Sequence, residues 1–200
     1  MLFKRMLRVI KLDKTVYNEV LRDPYGGAQA ITVVIVVTVA TLIGAISAYS
    51  LNLGDSDVTF SSTVVRSLLV IPGSWLLQAG CALVFSRFAL DASGRRVTSA
   101  QLMTILAFSI APGLFLIFSF NVFLAFFAGL GSLVWLIVTM THAVYTITGV
   151  NPARALMFVL PGALIRFVFL GAVVSRFAGS DTSTATETAA AITAAFFLPG

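Results

Sequence analysis

Residues 24–54 read PYGGAQAITVVIVVTVATLIGAISAYSLNLG, a stretch with no charged side chain. A helix needs about 20 apolar residues to cross roughly 30 Å of hydrocarbon, and this run is longer. It is apolar on every side. A membrane-spanning strand would alternate apolar and polar residues over about 10 positions. Only a helix satisfies the backbone hydrogen bonds of such a segment internally, so it predicts a membrane helix over about 28–50.

Working outward, the 20 residues between Arg66 and Arg87 are uncharged and predict a second span near 64–88. From Val97 to Pro152 the chain carries no Asp, Glu, Lys or Arg, and His142 is the one residue there that can be charged near neutral pH. That run holds two spans, 101–120 and 123–146. Their turn is placed at Asn121 in preference to Gly129-Leu130-Gly131, because the two spans are then more equal. A fifth span covers about 154–177. The tail, 178–200, is polar and then weakly apolar, and its run from Ala189 to Leu198 is too short to cross.

Composition agrees. Apolar residues make up 58%, charged residues 10%, and mean hydropathy is +1.00. Soluble domains carry about 25% charged residues, so this chain cannot coat a globule in water. The expected fold is an all-α integral membrane protein. It is a five-transmembrane-helix bundle over 28–177, preceded by an amphipathic interfacial helical segment over 1–27. The net charge of +5 is spread thinly beside apolar runs. Anionic lipid and topogenesis account for it better than nucleic acid does. Cys81 is the only cysteine and His142 the only histidine, which excludes an internal disulfide and a multi-histidine metal site. No cofactor is expected.

The loops set the orientation. Lys4, Arg5, Arg8, Lys11, Lys14 and Arg22 precede the first span, and Arg87, Arg95, Arg96 and Arg154 share its entry side. The opposite side holds Asp55, Asp57, Arg66, Arg176, Asp181 and Glu187. The positive-inside rule puts the N-terminus in the cytoplasm and the C-terminus outside. The expected location is a cell (inner) membrane, or an endomembrane in a eukaryote. The first hydrophobic run starts too late and is too long for a cleavable signal peptide.

Before that run, Leu2, Met6, Val9 and Ile10 fall on one helical face, opposite most of Lys4, Arg5, Arg8 and Lys11. Asp13 can cap a second helix with an apolar stripe of Val16, Tyr17, Val20 and Leu21. Residues 2–22 therefore predict amphipathic helix on the cytoplasmic leaflet.

Within the spans, Arg166 is the outstanding residue. It sits near the middle of the fifth span, at an insertion cost of about 2.5–3.5 kcal/mol. No acidic residue lies in any span, so its partners are backbone carbonyls, a polar side chain, water or a lipid phosphate. It is a candidate anion or lipid contact, or a structural arginine. Three Pro-Gly pairs, Pro72-Gly73, Pro112-Gly113 and Pro161-Gly162, predict kinks, because proline removes a helix hydrogen bond. Ala40, Gly44 and Ala48 form a small-residue stripe suited to close helix packing. Thr139, Thr141, His142 and Thr146 make a polar patch at the cytoplasmic end of the fourth span. No nucleophile elbow, zinc-protease pairing, phosphate loop or intramembrane acidic pair is present, so no enzyme activity is expected.

The order of features resembles the Yip (Ypt/Rab-interacting protein) domain family in a short prokaryotic form, over residues 5–177. The pieces are Arg8-Val9-Ile10-Lys11-Leu12-Asp13 through Arg22-Asp23-Pro24, followed by five spans. Ala107-Phe108-Ser109-Ile110-Ala111-Pro112-Gly113 is similar to the family's third-span alanine-proline element, and Trp135 and Asn151-Pro152-Ala153-Arg154-Ala155 fit as well. The resemblance implies a multispan membrane protein that binds other membrane proteins. Family members with a longer cytosolic N-terminus bind small GTPases through an Asp-Leu-Tyr-Gly-Pro motif. Here Asp23-Pro24-Tyr25-Gly26-Gly27 keeps three of those five residues and that longer region is not in this sequence, so GTPase binding is not carried over.

Two functions are compatible with these features. One is a non-enzymatic interaction, scaffold or assembly protein in a larger membrane complex. The other is a small transporter or channel for an anionic or lipid-like substrate, built on the kinks and Arg166.

Overall fold

A computed structural model describes residues 1–50, 60–93, 97–120 and 122–177. Asn121, the loop residues Asp55, Asp57, Arg95 and Arg96, and the tail 178–200 lie outside the described residues, as do the side chains of Ala48, Arg66, Arg87 and Arg176. All the described regular structure is helical: α1 (Leu2–Ile10), α2 (Lys14–Arg22), α3 (Gly26–Ser50), α4 (Phe60–Ser93), α5 (Ser99–Phe108), a 3₁₀ segment (Ala111–Phe118), α6 (Val122–Thr148) and α7 (Pro152–Phe177).

Among the described residues three stretches are long and apolar enough to cross a membrane: Gly26–Ser47, Ser99–Phe118 and Phe127–Thr148. The surface of α3 shows why. Ile31, Ile35, Val39 and Ile43 recur every four residues and are exposed, while Ala30, Val33 and Val37 on the other side enter the core. An outward apolar stripe of this kind is suited to lipid and would be costly in water. Hydroxyls in α3 are satisfied within the helix: Thr32, Thr38 and Thr41 each donate to the carbonyl four residues back, at 2.8–2.9 Å.

The three Pro-Gly pairs have different outcomes. Pro72 lies inside α4 and Pro161 inside α7, each helix running on through its proline. At Pro112 the helix changes character: α5 stops at Phe108 and the chain resumes as 3₁₀ from Ala111. Side chains of α6 meet carbonyls at this break. Thr139 Oγ1 donates to Ser109 O at 2.7 Å, and Ser132 Oγ donates to Pro112 O at 2.9 Å. Irregular backbone at membrane depth is tolerated where protein supplies such partners.

The described part of the small-residue stripe packs inside the chain. Ala40 and Gly44 are buried, and a Cβ on Gly44 would collide with the Leu116 carbonyl oxygen of the 3₁₀ segment. Glycine is what lets these two backbones touch. Likewise Gly162 brings α7 against α4, where an added Cβ would lie 2.8 Å from Gln78 O.

The amphipathic segment departs from expectation. Its apolar stripes meet protein, where the sequence predicted the leaflet. Lys11–Asp13 reverses the chain, with Leu12 at a φ of 59°, so that α1 and α2 fold back on each other. Met6, Val9, Val16, Tyr17 and Val20 are buried in the same core as residues of α3, α5 and α6. Burying an apolar stripe is favourable against either neighbour, and here the helical bundle supplies the surface.

Candidate functional site

The α1–α2 hairpin is held by ions on one side and by α6 on the other. Asp13 caps α2 by accepting from Thr15 N–H at 2.9 Å, which is its expected role. Arg8 ties the cap together, donating to Asp13 at 2.7 Å and to both carboxylate oxygens of Glu19 at 2.7 and 2.8 Å. The Thr15 hydroxyl and then Arg8 hold the Asp13 carboxyl down at about 2, and Arg8 lowers Glu19. Arg5, 7% exposed, is less accessible than an isolated arginine would tolerate. It pairs with Asp23 at the end of α2 and donates to Gln29 at the start of α3, lowering the Asp23 carboxyl.

Among the described residues three hydrogen bonds join the hairpin to α6. The Trp135 indole donates to Ile10 O at 2.9 Å, satisfying a carbonyl that the end of α1 leaves open. The Tyr17 hydroxyl donates to Thr139 O at 3.4 Å, and burial pushes this phenol up from its ordinary value. Lys14 Nζ donates to the Tyr145 hydroxyl at 3.1 Å and lies 5.0 Å from the centre of its ring.

The polar patch on α6 is therefore part of a larger set of contacts. Thr139 is turned toward α5 and His142 toward α2, with the His142 ring 5.8 Å from Tyr17 and 6.1 Å from Tyr145. Thr141 Oγ1, His142 Nδ1 and Thr146 Oγ1 are buried without a hydrogen-bond partner. Beside them is an open cleft of about 530 Å³ between the hairpin turn, α6 and the start of α7. The sequence identified the patch but not Lys14, Tyr17 and Tyr145. Their signal was weak: Lys14 reads as one more basic residue of the segment, and Tyr17 as one of its apolar stripe.

Arg166 finds its partner on α4, where Nη1 donates to Gln78 Oε1 at 3.0 Å. Gln78 is fully buried, and Gln78 Nε2, Arg166 Nε and Trp75 Nε1 have no hydrogen-bond partner. The pair can anchor α7 to α4 or receive a small polar ligand. Gln78 was visible as the one amide in the uncharged run 67–86. Arg166 is not brought together with the Thr139–His142 patch, whose polar contacts run to α2 and α5. Of the Pro-Gly pairs, Pro72 lines a second, apolar cleft of about 390 Å³ with Trp75, Ile31 and Met103. Among the described residues no three His, Cys, Asp or Glu side chains converge.

No family model, no curated protein and no solved structure matches the chain.

Proposed function

We propose that the chain is a non-enzymatic membrane protein of the Yip type, five spans with a cytoplasmic N-terminus, that works as an interaction or assembly factor. The observation that carries this reading is the seating of the α1–α2 hairpin on α6 through Trp135, Tyr17 and Lys14. A segment fixed in this way presents a constant outer surface. That surface is mixed: Phe3 and Leu7, 64% and 42% exposed, stand beside the exposed Lys4 and Lys11. Apolar residues ringed by charge on a rigid support are what a membrane partner can recognise. The resemblance to the Yip family, in its amphipathic lead-in and its alanine-proline element, supports the same reading.

The experiment places a photo-crosslinking amino acid at Phe3 or Leu7 in native membranes. A recurrent protein adduct, lost on substituting Lys4 and Lys11 by Glu, is the expected result. Adducts to lipid alone would overturn the partner reading.

The Arg166–Gln78 pair favours a second reading, a small transporter or channel for an anionic or lipid-like substrate. It predicts anion or lipid flux in proteoliposomes that disappears in Arg166→Leu. Equal flux in both proteins, or none in either, would remove it.

A further inference from the structure

We propose that the cleft beside His142 binds one anionic phospholipid, with its phosphate at Lys14 and Tyr145 and an acyl chain along Ile137, Val138 and Leu156. The inference requires the membrane placement of α6 but not the interaction role proposed above.

The cleft is graded along α6. Tyr145, His142 and Thr141 line its end nearest the α6–α7 turn, and Val138 and Ile137 line the part farther along. Eight residues separate Tyr145 from Ile137, about 12 Å at helical rise. The lining is mostly apolar, with Lys14 and Tyr145 at the end nearest the α6–α7 turn, which suits a lipid whose headgroup sits at that end and whose first chain methylenes lie along the rest. The volume, about 530 Å³, lies within the roughly 300–1,000 Å³ of small-molecule sites.

Charge selects the headgroup. Lys14 is exposed at the rim, and among the described residues its ammonium contacts the neutral Tyr145 hydroxyl and ring and pairs with no carboxylate. The nearby Asp13 carboxylate is occupied by Arg8 and Thr15. Pro152 and Ala153, the first residues of α7, also line the cleft, so the positive end of a 26-residue helix faces the same rim. Asn151 caps that helix by accepting from Ala153 N–H at 3.0 Å.

The test uses the full chain in a mild detergent, titrated with phosphatidylglycerol or phosphatidylcholine, with bound lipid counted by native mass spectrometry. The expected result is preferential retention of phosphatidylglycerol. Lys14→Glu lowers that retention at least about fivefold, the effect of one basic charge near an anionic headgroup. Lys4→Glu, at a residue also exposed but on α1 and outside the cleft, changes it less than about twofold. Ala153→Trp fills the cleft without changing charge and lowers retention as much as Lys14→Glu. If that variant melts early, Tyr145→Phe takes its place and also lowers retention. Equal retention of the two lipids overturns the proposal, as does an equal loss in Lys4→Glu. Displacement of the lipid by millimolar inorganic phosphate overturns the acyl-chain part, because a free anion would then suffice. A protein that binds phosphatidylglycerol as described but yields no crosslinked partner separates this site from the interaction role.

Discussion

Single residues decide where the helices of this protein touch. Gly44 and Gly129 lie in the two longest uncharged tracts and look alike in sequence, yet their surroundings differ. A side chain at Gly44 would meet the Leu116 carbonyl and Ser119, whereas Gly129 has nothing within 4 Å of an added Cβ. Gly44→Val should therefore cost about 1–3 kcal/mol through overpacking. Gly129→Ala should be neutral or stabilising by about 0.5–1 kcal/mol, because helical glycine carries an entropic cost. Thermal unfolding in one detergent compares the two. Equal melting temperatures would mean that α3 and the 3₁₀ segment do not pack as described. The stripe Ala40, Gly44 and Ala48 was legible in sequence as a packing surface. Its partner was not, because small residues favour any close neighbour and do not encode which one.

At the scale of elements, the Pro-Gly pairs show how far a local motif reaches. All three offer the same loss of a hydrogen bond, and the helix changes type only at Pro112. What distinguishes that site is Ser132 and Thr139, 20 and 30 residues from their acceptors, on another helix. The hairpin carries a similar lesson. Its amphipathic stripes were legible, as was the Asp13 cap, but burial against lipid and burial against protein follow the same periodicity. The docked geometry makes a prediction about acid. Asp13, Glu19 and Asp23 all have folded-state values lowered by their hydrogen bonds, so their contribution is fully present above the unfolded carboxylate range, about 3.9–4.3. It is lost as pH falls through the lowered values, toward about 2 for Asp13. The hairpin should loosen across that window. In a Trp75→Phe background, Trp135 emission should shift to the red between about pH 4 and pH 2 as its indole leaves Ile10. Constant emission over that range would show that the carboxylates do not hold the hairpin.

For the whole molecule, the uncharged tracts made the helices readable without any periodic pattern, since lipid asks only for length and apolarity. Pairing between helices was less legible. The extensive packing of α4 on α7 depends on Gly162 meeting the Gln78 backbone and on Arg166 meeting its side chain, contacts between residues more than 80 positions apart. The proposed five-span arrangement predicts that the two ends lie on opposite sides of the membrane. In a Cys81→Ala background, cysteines at Lys11 and Ala185 should be labelled from opposite faces by an impermeant maleimide. Labelling of both from one face would require an even number of crossings.

The eight-residue 3₁₀ segment that contains Pro112 has a consequence for bilayer thickness. A 3₁₀ helix rises about 2.0 Å per residue against about 1.5 Å for an α-helix, so this stretch gains roughly 4 Å in reach without adding a residue. Conversion between the two windings would lengthen or shorten Ser99–Phe118 by that amount, a way to accommodate hydrophobic mismatch without tilting the neighbouring helices.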